Sequence, residues 1–164
     1  MDQANLVDKI SKVKSLSIWI FLVPFVGINA CLIIITQFHG LFPNQEDVIL
    51  NTFPYFDGGT SISRTARPYP TWLIFKPSMF LTSFLLIKYW LYNTAIIEFF
   101  SKDHKYKNKI IFFGIASAVA LTIHSIFLGI KFDNDFYKLF RRVIMVLFII
   151  FEIVAQAYLV ATFY

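Results

Sequence analysis

The chain has 164 residues, of which 57% are hydrophobic and 15% charged, with a mean hydropathy of +0.64. An average soluble domain is about 45–50% apolar and about 25% charged, so this composition excludes a water-soluble globule and indicates an integral membrane protein. The formal net charge of +5 does not indicate a nucleic-acid partner, because the basic residues flank apolar segments; beside a membrane such lysines attract anionic lipid, at about 1 kcal/mol each.

Residues 3–16 space Leu6, Val7, Ile10, Val13 and Leu16 at nearly helical intervals and place Lys9, Lys12 and Lys14 among the other positions. That pattern predicts an amphipathic helix lying in the membrane interface. Apolar spans follow at about 17–38, 72–98, 109–131 and 139–162, each meeting the roughly 20 residues that a helix needs to cross about 30 Å of hydrocarbon. Residues 15–45 and 110–130 contain no Asp, Glu, Lys or Arg. Each span is a near-continuous apolar run, whereas a transmembrane barrel shows segments of about ten residues with alternating polarity. The expected fold is all-α: one polytopic transmembrane domain over residues 1–164, a four-helix bundle with an N-terminal interfacial amphipathic helix.

The first span is too long for a signal-peptide core and no small-x-small cleavage pattern follows it, so it is expected to stay as an anchor. Cys31, inside that span, is the only cysteine and offers neither a disulfide framework nor a cysteine metal site. Lysine and arginine divide evenly between the two sides of such a bundle, so orientation rests on their density. Residues 101–109 (SKDHKYKNK) are short and lysine-rich, while the opposite loops dilute their basic residues with Glu46, Asp47, Asp57, Asp133 and Asp135. Both termini are accordingly expected in the cytoplasm. Gly114 and Ala118 form a small-xxx-small pair that lets another helix approach the third span closely.

Polar residues at membrane depth are functional hypotheses by default. Lys88 lies near the centre of the second span and Glu152 near the centre of the fourth, at almost equal depth, with His124 on the third span. Gln156 is one turn from Glu152 on the same face. A charge in a low-dielectric interior neutralises or finds a partner, so a Lys88–Glu152 ion pair is expected. It would fix which helices pack together or form the base of a polar pocket for a head group, ion or proton. One histidine at depth does not supply both axial ligands of a bis-imidazole haem, and the chain has no HExxH and no phosphate-binding glycine loop. No catalytic residue, metal site or cofactor is expected.

The outer loop, residues 39–71, carries the passage PYFDGGTSISRTARPYPTWLIFKP over residues 54–77. Asp57, Gly58 and Gly59 read as a turn, and Arg67 before Pro68 reads as an extended lead into the second span. Ser61, Ser63, Arg64 and Arg67 are placed to contact a phosphate, or a partner, through charge-assisted hydrogen bonds.

Pro54 and Tyr55, then Ile62, Ser63 and Thr65 in an Ile-Ser-x-Thr order with Ala66 after them, resemble the passage before the second helix of the Frag1/DRAM/Sfk1 membrane proteins. The basic inner loop and the third span FFGIASAVALTIHS continue the likeness. Family members generally have six spans, where four are read here. The resemblance implies non-enzymatic, lipid-linked membrane work. The alternative reading is a structural or accessory subunit of a larger membrane protein complex, which 20 phenylalanines and an apolar C-terminus also suit.

Overall fold

A computed structural model describes residues 3–50, 52, 54–58, 60–100, 105–130 and 134–163. Gly59, Lys102, His104, Lys131 and Asp133, on which parts of the turn, charge and span readings rest, lie outside the described residues. In chain order the helices are α1 (Gln3–Gln37), α2 (Pro54–Asp57), α3 (Ile62–Thr65), α4 (Trp72–Phe100), α5 (Lys107–Phe127) and α6 (Asp135–Phe163), with single 3₁₀ turns at His39–Leu41 and Gln45–Asp47. Among the described residues there is no strand. The helices α1, α4, α5 and α6 are long and apolar enough to cross a membrane, which fits a multi-pass integral membrane protein.

The first span departs from expectation at its start. Residues 3–16 form no separate interfacial helix; they are the opening turns of α1, a single helix of 35 residues, about 52 Å at about 1.5 Å per residue. No glycine or proline interrupts the backbone before Pro24, so nothing breaks the ladder where composition changes. The lysine-bearing segment follows α4 instead, with the Lys12 ammonium 5.9 Å from the Tyr92 ring and 2.7 Å from Asp8.

The long helices pack in chain order, α1 on α4, α4 on α5 and α5 on α6. Each pair is antiparallel: Cys31 near the end of α1 bonds the carbonyl of Thr71 just before α4, and Phe127 at the end of α5 meets Tyr137 at the start of α6. The central pair, α4 and α5, buries more of its apolar length than the flanking α1 and α6. One core cluster joins Leu86, Trp90 and Ile97 of α4 to Ile110 and Ala118 of α5 and Ala155 and Leu159 of α6. A second joins Cys31 of α1 to Phe75 and Met79 of α4, Leu121 of α5 and Leu128. Outward, Phe21, Phe112 and Ile153 keep 63%, 64% and 62% of their surface uncovered, a coat that suits lipid rather than water.

Two glycines set the helix spacing. At Gly27 an added Cβ would stand 2.4 Å from Ser78 Oγ. At Gly114 it would stand 2.3 Å from Cγ of Trp90, a fully buried indole packed closely against the α5 backbone. The small pair expected at Gly114 and Ala118 thus receives an aromatic ring of α4. Replacing Gly114 with Ala should cost about 1–3 kcal/mol through overpacking, while Gly40→Ala, which meets open space, should be neutral. The buried Cys31 thiol allows a direct measurement: thermal unfolding in detergent, followed by a thiol-reactive dye, should show a lowered midpoint for the first variant alone.

Candidate functional site

There are two polar constellations, one inside the α4–α5–α6 layer and one at its end. The deeper one centres on Glu152 of α6. Its Oε2 accepts hydrogen bonds from the Ser117 hydroxyl at 2.7 Å and the Trp90 indole N–H at 3.3 Å, and its Oε1 accepts one from the Gln156 amide at 3.0 Å. Ser117 Oγ also lies 2.8 Å from the Gly114 carbonyl, so its single proton has two acceptors. Three helices therefore meet on one carboxylate, and the pairing of Glu152 with Gln156 is as the spacing predicts.

Lys88 is not part of that node. The expected Lys88–Glu152 ion pair does not form; Lys88 is exposed on the outer face of α4, with its ammonium 4.5 Å from the Phe84 ring centroid. The reason is angular. Trp90 lies two residues on, roughly 200° around a helix of about 3.6 residues per turn, so the α4 face that meets Glu152 presents indole while lysine points away. His124 is half-buried on α5, two helical turns beyond Ser117, and its Nδ1 has no hydrogen-bond partner among the described residues. The expected belt of Lys88, His124, Glu152 and Gln156 is thus a compact Glu152–Gln156–Ser117–Trp90 node, with the other two residues elsewhere.

The second constellation is a pocket of about 670 Å³ where the loop before α4, the loop after α5 and the start of α6 converge. It is lined by Asp47, Arg64, Arg67, Pro68, Tyr69, Gly129, Ile130, Tyr137, Lys138 and Arg141. Local structure aims these groups. Ser61 Oγ caps α3 by accepting from the Arg64 amide at 3.2 Å, and the Arg67 guanidinium donates to Ser63 Oγ at 2.7 Å. The lead into α4 is a compact turn, not the extended stretch anticipated from Arg67-Pro68: the Thr71 hydroxyl sits 2.6 Å from the Thr65 carbonyl and 2.9 Å from that of Pro68. Gly58, with φ of 58°, follows the α2 turn. Across the pocket, the Tyr137 hydroxyl donates to the Phe127 carbonyl at 2.5 Å, and the Arg141 guanidinium lies 5.2 Å from the Tyr137 ring.

Charge in this pocket is unbalanced. Arg64, Arg67, Lys138 and Arg141 face Asp47 as the one carboxylate among the lining residues, although Lys138 also pairs with Asp135 of its own helix at 3.1 Å. Burial, and after it the neighbouring Arg141 cation, pull the Arg67 pKa below its ordinary value, while Tyr137 opposes this. Arg141 Nε is buried without a hydrogen-bond partner among the described residues. Of the four loop residues expected to touch a ligand, Arg64 and Arg67 line the pocket, whereas Ser61 and Ser63 spend their hydroxyl oxygens on the cap and on Arg67. Lys138, Arg141 and the two tyrosines were not singled out by sequence. Their signal was available: an even number of spans puts the first and third loops on one side of the membrane.

Comparison with protein-family models, curated proteins and solved structures finds no match to this chain.

Double-mutant cycles separate the two versions of the intramembrane node. Lys88→Met and Glu152→Gln should add to within about 0.5 kcal/mol, while Ser117→Ala and Glu152→Gln should show a coupling of about 0.5–3 kcal/mol, as groups in direct contact do. Unfolding free energies in detergent, measured for the singles and the pairs, give both numbers.

Proposed function

We propose that this is a non-enzymatic, lipid-associated integral membrane protein, similar in kind to the Frag1/DRAM/Sfk1 group, that holds the phosphate of an anionic lipid head group in its outer pocket. The observation that carries the reading is the convergence of Arg64, Arg67 and Arg141, with Lys138 beside them in an ion pair to Asp135, and Asp47 as the one carboxylate of the lining, around about 670 Å³. Guanidinium groups bind phosphate through paired, charge-assisted hydrogen bonds. Arg141 has an Nε donor to give and Arg67 is held by a neutral serine, so neither is already neutralised by a carboxylate.

Position and size favour a lipid over a free ion. The pocket lies at the ends of α4, α5 and α6, where helices that cross the hydrocarbon emerge among head groups. Its volume falls in the range of about 300–1,000 Å³ typical of small-molecule sites, with room for a head group beyond its phosphate. Tyr69 and Tyr137 in the lining supply the amphipathic rings that sit well at an interface. With both termini in the cytoplasm, as the loop lysines favour, the pocket faces the opposite leaflet.

Native mass spectrometry of protein reconstituted with phosphatidic acid or phosphatidylcholine tests this. Wild type should retain phosphatidic acid in preference to phosphatidylcholine, and the Arg67→Ala/Arg141→Ala double variant should lose that preference by about tenfold or more, the loss expected for two charged hydrogen bonds. Removal of Lys105 and Lys109, at the opposite ends of the helices, should leave it unchanged. Equal retention by wild type and the arginine variant would sink the proposal.

A further inference from the structure

A separate surface, remote from the pocket, carries a second inference. Leu73, Leu81, Phe84, Lys88 and Leu91 are exposed and recur every three or four residues along α4, or twice that interval. They form one uncovered stripe on a helix whose other faces are occupied by α1 and α5. Lys88 is two residues from the midpoint of α4 (Trp72–Phe100). It therefore stands only about 3 Å from the middle of a helix that must cross about 30 Å of hydrocarbon. A four-carbon stem does not carry an ammonium from there to the head groups. The face of Phe84 is the sole contact found for the charge among the described residues, and an aromatic ring offsets only part of a desolvated cation's cost.

We infer that the Lys88 stripe of α4 docks a transmembrane helix of a different membrane protein, one that carries an aspartate or glutamate at matching depth. Charge complementarity selects this occupant. Lipid tails offer no counter-charge, and a phosphate at the surface stays more than a side chain's length away. A second copy of this chain is poorly suited: its mid-span carboxylate is Glu152, which already accepts from Ser117, Trp90 and Gln156 inside its own helix layer. A partner carboxylate facing Lys88 would complete an ion pair in a medium where an unpaired charge is disfavoured on either helix.

The probes are two acceptor-labelled synthetic peptides, each a leucine-rich transmembrane helix with one central residue, Glu in the first and Gln in the second. Donor-labelled full-length protein is reconstituted with each in phosphatidylcholine vesicles, and energy transfer is titrated. Wild type should bind the Glu peptide about tenfold more tightly than the Gln peptide, a margin of about 1.4 kcal/mol; Lys88→Met should abolish the difference and Lys88→Arg keep it. Lys88→Met exchanges an exposed charge for an apolar side chain of similar length, so folding is not at risk. Equal binding of the two peptides, or a Glu preference that survives Lys88→Met, overturns the inference and leaves Lys88 without a partner helix. Energy transfer between two copies of the protein that Lys88→Met abolishes also overturns it, and assigns the stripe to self-association. The arginine-pocket double variant should bind the Glu peptide as wild type does, so failure here and failure of the lipid reading are told apart.

Discussion

The structure depends on how a carboxylate is kept inside a layer of apolar helices. Glu152 is half-buried with no ion-pair partner among the described residues, and leaving such a group unpaired in apolar surroundings costs several kcal/mol. What it has is three neutral donors from three positions, the Trp90 indole, the Ser117 hydroxyl and the Gln156 amide. The indole reaches it only because Gly114 lets the ring lie on the α5 backbone, where a single methyl would overlap it. One close approach therefore sets the distance between α4 and α5 and also the point at which α6 joins them.

Neutral donors and a paired cation are different solutions with different consequences. A Lys88–Glu152 pair would have neutralised both charges within the chain and left the outer face of α4 apolar. Instead Glu152 is solvated by hydrogen-bond dipoles, and Lys88 is left on the membrane-facing stripe beside Phe84. An isolated lysine at a helix centre costs about 2.5–3.5 kcal/mol on insertion-based scales. That is affordable for a stable helical protein, yet large enough to favour any neighbour that supplies the missing charge.

Much of the architecture was legible because composition alone determines it. Apolar runs near the hydrocarbon thickness located all four long helices, and the structure moves most of their ends by only a few residues: Trp72–Phe100 against 72–98, and Lys107–Phe127 against 109–131. The start of α1 was not legible, since amphipathic spacing describes a face and does not say whether the backbone continues; the uninterrupted ladder from Gln3 decides that. Glu152 does stand near the level of Lys88 along α4, bonding Trp90 two residues on, but azimuth was not legible. Which face of α4 meets α6 depends on Trp90 finding Gly114, a pairing between residues that no local pattern links. The pocket failed to emerge for a related reason. Arg64 and Arg67 stand out in a polar passage, whereas Lys138 and Arg141 sit at the start of an apolar helix and read as ordinary flanking charge until α6 is placed beside the first loop.

The two polar constellations are mechanically connected through α6, which carries Glu152 of the node and Tyr137, Lys138 and Arg141 of the pocket. Arg141 lies eleven residues from Glu152 along α6, about 16 Å at about 1.5 Å per residue, so the register fixed at the node also fixes where Arg141 and Lys138 stand. The arginines gathered at this end, with Lys138 only partly offset by Asp135, repel one another and tend to splay the segments that carry them. Two bonds to the last turn of α5 resist this at the pocket itself, from Lys76 of α4 to the Ile126 carbonyl at 3.4 Å and from Tyr137 of α6 to the Phe127 carbonyl at 2.5 Å. The node resists it from within the apolar layer, where an effective dielectric far below that of water strengthens each donor's hold on Glu152. An anion in the pocket acts in the same direction, replacing repulsion among Arg64, Arg67, Lys138 and Arg141 by attraction to a common charge. If the proposed head group binds there, binding and helix packing would stabilise one another, and the cationic cluster would act as a clamp when filled.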